Sequence, residues 1–515
     1  MSSLNDVDEE KVIEHIESAP STAPTETPWD DPSETRNPAN WSIPSKIFHT
    51  ILPCFLAFTL TLATSTSVPA VPLIKAHFNV NTTTAILPLT LYTLGLAFGP
   101  AFIAPLSEVL GRKRVYVASF FCFIAFIAGA GASRTFASLL VCRFLASFLG
   151  SAGIAIGAGS ITDVWGYGEA RSAVALMFIL GPFLGPTMGP LCGAYILKDR
   201  HDDWRWTQWI LILIAAPIFV GLCLMKETSK AWVTRNSTLS AAPLPLSKMI
   251  PIALVRPIKM LVTEPIVLSL TLYTSFAYAC IFSYFASASY ILQFLYHFNL
   301  QQVGLSFIAV VIGYILASLL FRVCDRIAIR RTAKTHPDQE PPPERRLYAA
   351  LPGSVFIPIG LFWYAWEAHA GGHWARLVAA GIPLGLGAFS IFVRTRLPTA
   401  SCWPYADLSQ LSTITYLVDI YKARAAASGT SLFTLLIFSL LLAFVLISSP
   451  ALAANGTLRY SLGAVFPLFT LQMYHNLGVH WAGSVFAFLS VLLLPIPWLL
   501  VAYGPKLRGM NRFID

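Results

Sequence analysis

Apolar stretches of about 20 residues recur along almost the whole chain, and each is long enough to cross a bilayer as a helix. In hydrocarbon the backbone must satisfy its own hydrogen bonds, so each stretch predicts a helix and not a loop. The stretches are 47–72, 85–107, 115–132, 136–158, 174–196 and 208–225. A polar interval runs from Lys226 to about Pro265. Further stretches follow at 266–290, 302–321, 347–367, 375–393, 430–450, 451–474 and 481–503. Only 12% of the 515 residues are charged, about half of what a soluble chain carries. The predicted fold class is therefore an all-α polytopic membrane protein.

Charge orients it. Residues 1–36 hold ten acids and two bases, leaving 16 acids and 33 bases for the rest. The acidic, Pro/Ser/Thr-rich start, residues 1–45, reads as a disordered tail without a signal peptide. Bases cluster in alternate connections: Arg112, Lys113 and Arg114; Arg171; Lys226, Arg235, Lys248, Arg256 and Lys259; and Arg322, Arg326, Arg330, Arg331, Lys334, Arg345 and Arg346. All fall on the side of the N-terminus, which the positive-inside rule makes the cytoplasm. A basic membrane body of this kind speaks for cytoplasmic loops and against nucleic-acid binding. The expected division is a six-helix bundle over 46–225, a cytoplasmic loop over 226–265, a second bundle over 266–505 and a cytoplasmic tail over 506–515. Two six-span halves suggest a transporter with its substrate site between them.

Several segments carry candidate chemistry. In "GPFLGPTMGPLCGAY", Gly181, Gly185, Gly189 and Gly193 share one helix face, which lets another backbone approach closely. Pro182, Pro186 and Pro190 form a neighbouring stripe, and each frees the carbonyl four residues earlier. Such carbonyls must face protein or a cavity, so this helix is expected at a helix interface. The alternative is a kinked, close-packed helix with no gating role. In "APLSEVLGRKRVY", Glu108 ends a helix and Gly111 turns the chain into Arg112, Lys113 and Arg114. This is read either as a charge latch that breaks and reforms or as plain topology with a solvated acid. Arg143 lies about 10 Å inside its stretch. An intramembrane arginine is a functional candidate. It also has a structural reading, in which it snorkels or binds backbone carbonyls. Asp163, Glu169 and Arg171 predict a local ion-pair cluster. Tyr273, Tyr278 and Phe282 belong to an aromatic-rich stretch that either lines a site for flat or cationic substrates or simply packs. The eight cysteines are scattered without metal or disulfide spacing. No catalytic residue, metal or cofactor is expected.

Together these segments resemble the major facilitator superfamily, and within it the fungal drug:proton antiporters with twelve spans. The resemblance rests on "NPANWS", "GPAFIAPLSEVLGRKRVY", "RFLASFLGSAGIAIGAGSITDVW", "GPFLGPTMGP", "RPIKMLVTEPIV" and "ALAANGTLRYSLGAVFPLF…MYHNLGVHWAGS". It implies two six-helix bundles and proton-coupled export of small amphipathic molecules (drugs, toxins or secondary metabolites) by alternating access. It also implies a role for Arg143 in proton movement and for Glu108 in the cytoplasmic latch. The family's loop motif usually has Asp and Gly where this chain has Glu108 and Ala104. The implied partners are a small-molecule substrate, protons and the bilayer, with the chain acting as a monomer at the plasma membrane. A polyamine exporter of the same fold is the alternative, and the scarcity of intramembrane acids weighs against it. A multi-span enzyme such as an acyltransferase would place His or Asp within a span, but the histidines here lie mostly in tails and loops. A non-transporting receptor fits the two-half architecture least. No Asp or Glu falls at the middle of a stretch, and Asp419 is a proton-coupling candidate only where its segment completes the tenth helix.

The region 393–450 is expected to hold two in-frame intrusions, at 393–410 and 429–450. The apolar run 375–393 breaks off at "VRTRLPTASCWPYADLSQ", and removing 393–410 leaves the continuous "GLGAFSIFLSTITYLVDIY". Removing 429–450 joins "YKARAAAS" to "ALAANGTLRY", as in the family. The second segment also adds a thirteenth apolar run, which would put Lys506, Arg508 and Arg512 outside. Retained introns would account for both, and for 393–410 Val393-Arg394, Ala406-Asp407 and Gln410 permit donor, branch-site and acceptor codons. The competing reading is a genuine loop and an extra helix.

Overall fold

A backbone that must hydrogen-bond within each span folds here into helices alone, and the computed structural model contains no strand among its described residues. It describes residues 31, 34–165, 169–233, 265–335, 350–369, 371–392 and 451–509. The first half comprises α1 (Ile43–Ser65), α2 (Val71–Phe78), α3 (Thr82–Leu110), α4 (Arg112–Gly131), α5 (Phe136–Gly150), α6 (Ala152–Val164), α7 (Glu169–Asp199) and α8 (Trp206–Leu224), followed by the single turn α9 (Lys230–Val233). The second comprises α10 (Pro265–Tyr296), α11 (Leu300–Ser306), α12 (Ile308–Thr335), α13 (Ala350–Glu367), α14 (Trp374–Ala379), α15 (Gly381–Ser390), α16 (Ala451–Leu477), α17 (Val479–Leu493) and α18 (Pro495–Gly509). Residues 1–30, most of the middle loop, Asp419, both suspected intrusions and the last six residues lie outside the described residues.

Some boundaries depart from the sequence reading. The run 47–72 does not stay one helix. Pro69 and Pro72 lack the N–H that α1 would need, and the chain passes through a 3-10 turn at Val68–Ala70 before α2. The run 136–158 breaks at Ser151, beside Gly150, the kind of Gly/Ser pair at which helices kink. Arg322, Arg326, Arg330 and Arg331, assigned to a loop, instead lie within α12. Arginine favours the helix, so the helix outlasts the apolar run.

Nine stretches among the described residues are long and apolar enough to cross a membrane. Large apolar side chains stand exposed on outward faces, such as Leu213, Val220 and Leu224 of α8 and Phe488 and Leu492 of α17. Surfaces of that kind belong against lipid.

Within the halves, α1 packs along α7, α3 on α5, α10 on α16, and α12 and α13 on α15. The halves meet along two seams, α3 against α16 and α7 against α11 and α12. Hydroxyls stitch the first seam: Thr90 donates to the Ala464 carbonyl at 3.1 Å, and Thr457 to the Ala97 carbonyl at 2.9 Å. On the second, the Thr187 hydroxyl donates to the Tyr314 hydroxyl at 3.3 Å.

Candidate functional site

Four parts of the structure bear on function, beginning with the seam between α1 and α7. A Cβ at Gly185 would lie 2.6 Å from the Leu62 nitrogen and overlap the Thr61 hydroxyl. At Gly189 it would lie 2.9 Å from the Thr66 nitrogen and overlap the Ser65 hydroxyl. Gly193 abuts the Thr66 carbonyl, and Gly181 has more room, 3.3 Å from the Cys54 carbonyl. The glycine face of α7 thus lies against the backbone of α1. The proline stripe turns elsewhere, with Pro182 half-buried and Pro190 lining a cavity. Pro190 removes the donor that would have served the Pro186 carbonyl, and the Ser65 hydroxyl supplies it at 2.7 Å.

Arg143 is wholly buried where α1, α3, α5 and α8 converge. Its guanidinium donates to the Pro88 and Thr64 carbonyls and to Gln208 Oε1, each at 3.4 Å, and to the Ser67 hydroxyl at 3.3 Å. Tyr92 presents its ring 4.4 Å away and is itself fixed by donating to the Leu60 carbonyl at 2.8 Å. Among the described residues no carboxylate pairs with Arg143. A buried cation held only by long bonds to neutral dipoles is poorly compensated, and its partners Thr64 and Ser67 flank Ser65.

At the basic end, Arg112 Nε lies 3.0 Å from Asp163 Oδ2, and Arg112 Nη1 donates to the Ile156 carbonyl at 3.3 Å. The carboxylate partner of Arg112 is therefore Asp163, while Glu108 is exposed at the end of α3 and forms no ion pair with a described base. The side chains of Glu169 and Arg171 lie outside the described residues. Gly111, at φ +87°, makes the turn between α3 and α4. An acid missed in the sequence closes it. Glu227 accepts the Arg112 and Lys113 backbone N–H groups at 2.9 and 3.1 Å, and those of Thr228 and Ser229 at 3.0 Å. A carboxylate at a helix N-terminus satisfies orphan donors and the dipole together. The Arg114 guanidinium carbon sits 5.2 Å from the Trp232 ring centroid.

Between the halves, toward the opposite end, lies a cavity of about 240 Å³. Ser65, Ile86 and Pro190 line it from the first half, and Phe282, Phe285 and Pro467 from the second. Among the described residues its polar contributors are hydroxyls and Gln293, and no charged side chain lines it. Below it, Phe183 of α7 packs edge-on against Tyr278, Tyr314 and Phe389, with centroids 5.9, 5.6 and 5.1 Å away. Of the aromatics singled out, Phe282 lines the cavity, Tyr278 packs against Phe282 beneath it, and Tyr273 is buried nearer the basic end. The Tyr278 ring is not free for a cationic substrate, because the guanidinium of Arg459 already sits 5.2 Å from its centroid. Arg459, within "ALAANGTLRY", is a lone arginine in an apolar run, the same signal that marks Arg143.

Two helical halves meeting around a shared cavity, with exposed apolar faces and a basic end, define a multi-pass membrane transporter. The sequence model described as Major Facilitator Superfamily matches residues 54–401. This chain belongs to the Major Facilitator Superfamily. It is 31% identical to Polyamine transporter 4 of Saccharomyces cerevisiae, over 95% of this chain and 73% of that protein. It is 30% identical to Multidrug transporter TPO1_1 of Candida glabrata, over 96% of this chain and 82% of that protein. The crystal structure of the human organic anion transporter MFSD10 (TETRAN) matches with a TM-score of 0.53 at 17% identity, covering 91% of this chain and 100% of that one. This last likeness carries the fold alone.

Proposed function

We propose that the chain exports small amphipathic molecules by alternating access, in exchange for protons. The observation that carries the reading is the cavity: apolar, shared by both halves and, among the described residues, free of charged lining groups. Such a site suits substrates held by burial of apolar surface with a few hydroxyl contacts. The cavity opens away from the basic end, which in this reading faces the cytoplasm together with the N-terminus, at the plasma membrane. Arg143 is the group assigned to proton movement, since a neighbouring proton site would be felt strongly by a buried and poorly compensated cation. The chain acts as a monomer and needs no cofactor beyond the gradient.

The similarity to a polyamine transporter favours a second reading, export of polyamines. The described residues of the cavity lining include no acid, which weighs against it, because a polycation leaving water needs carboxylate partners. Purified full-length protein in proteoliposomes under an imposed pH gradient separates the two. A neutral amphipathic toxin should move with coupled proton flux, and spermidine should not. Transport of spermidine alone selects the second reading. No solute movement and no coupled proton flux removes both.

A further inference from the structure

Beneath the cavity, three buried donor atoms make no hydrogen bond to a described residue, although the hydroxyls of Tyr278 and Tyr460 are near enough to interact with each other. Among the described residues, Arg459 Nε and the hydroxyls of Tyr278 and Tyr460 are buried without a hydrogen-bond partner. They belong together: the guanidinium carbon of Arg459 lies 4.8 Å from the Tyr460 ring centroid, 5.2 Å from that of Tyr278 and 5.3 Å from that of Phe392. Both tyrosines are only 2% exposed. Phe183, from the other half, closes on the same group, 4.8 Å from Phe392. Tyr278 lies one helical turn from Phe282, which lines the cavity, with ring centroids 5.0 Å apart. The group therefore sits between the halves, directly beneath the cavity.

Buried donors are costly to leave unmade, and three in one place specify what is missing. The missing group is an acceptor, and beside an arginine it is an anion. A cationic ligand is disfavoured twice, by repulsion from Arg459 and because the aromatic faces that could hold it are already occupied. The surrounding rings suit a flat, conjugated body. One acceptor is also unmatched: Asn455 Oδ1, one turn along α16 from Arg459, whose Nδ2 donates to the Thr274 hydroxyl at 2.8 Å. It would take a hydroxyl on the same ligand.

We propose that Arg459, Tyr278 and Tyr460 form a binding site for the carboxylate or phenolate of an aromatic acid passing between the halves. This rests on the export reading and adds organic acids carrying a flat ring to the substrates it would take.

The test is equilibrium dialysis of the purified full-length protein with radiolabelled 1-naphthoate, with 1-naphthamide as the neutral match. Wild type should bind the acid more tightly than the amide. Arg459→Gln should weaken acid binding by about tenfold or more, and Arg459→Lys by less. Tyr278→Phe keeps the ring and removes only the hydroxyl, so it should fold normally and still weaken the acid severalfold. Amide binding should change little in all three. Equal affinity of wild type and Arg459→Gln for naphthoate overturns the proposal. So does a wild type that binds the amide as well as the acid, as when a carboxylate of the chain itself fills the site. Export is read separately, from movement of a neutral amphipath in proteoliposomes. Loss of that movement in wild type with naphthoate binding intact would remove the export reading and keep the anion site.

Discussion

The Ser65 hydroxyl of α1 donates to the carbonyl of Pro186 in α7 at 2.7 Å, and this is the carbonyl that Pro190 deprives of its helical partner. One hydroxyl thus restores the hydrogen bond that a proline removed from a different helix. The neighbours of Ser65 serve Arg143: the Thr64 carbonyl and the Ser67 hydroxyl both accept from its guanidinium. The last turn of α1 is therefore held on one side by the candidate proton-coupling arginine and on the other by the proline-bearing helix. Ser65→Ala should leave the Pro186 carbonyl unsatisfied at a cost of about 1–3 kcal/mol. A lowered melting temperature of the purified protein, with insertion intact, is the expected result.

Gly189→Leu places a branched side chain where even a Cβ would overlap the Ser65 hydroxyl. α1 and α7 cannot then approach, and transport should be lost while the protein still reaches the membrane. Efflux at the wild-type rate from cells expressing this variant would show that the close approach is not needed.

Arg143→Ala should abolish proton-coupled transport, whereas Arg143→Lys should keep part of it. Lysine preserves the charge but not the planar fork that reaches Thr64, Ser67, Pro88 and Gln208 together. The measurement is pH-gradient-driven flux in proteoliposomes, normalised to protein. Undiminished coupling in Arg143→Ala would leave the residue a structural role only.

Glu227→Ala removes a carboxylate from four backbone N–H groups at the start of α4 and of the middle loop. The expected loss is about 1–2 kcal/mol, seen as a lower melting temperature. Glu108→Ala, at an exposed acid with no ion pair to a described base, should shift it far less. Equal shifts in the two variants would show that the basic end does not depend on this clamp.

The segments 393–410 and 429–450 lie outside the described residues, and we propose that they are retained introns. Sequencing the mature transcript should show messages lacking both, and the spliced product is then the form to assay for transport. A single mature message containing both segments would refute this and leave a genuine loop and an extra helix.

The sequence by itself determined that the runs flanking 393–450 are helical, since lipid forces each apolar run to satisfy its own backbone. It also marked α7 as an interface helix through Gly181, Gly185, Gly189 and Gly193, because a four-residue spacing fixes one helix face whatever lies opposite. Helix ends were less legible. Pro69 and Pro72 broke a run that hydropathy read as continuous, and the arginines of α12 stayed helical because side-chain charge does not stop backbone hydrogen bonding. Partners were not legible at all. Ser65 and Pro186 lie 121 positions apart, and Glu227 reaches Arg112 across 115. Arg112 could have paired with Glu108, four residues away, yet the fold gives it Asp163. Arg459 stood in plain view as an arginine in an apolar run, but that its neighbours are Tyr278, Tyr460 and Phe392 is a product of packing. Periodicity reports which face a residue occupies on its own helix. Which helix lies against that face depends on how all the spans share the same buried surface, and only the tertiary structure decides it.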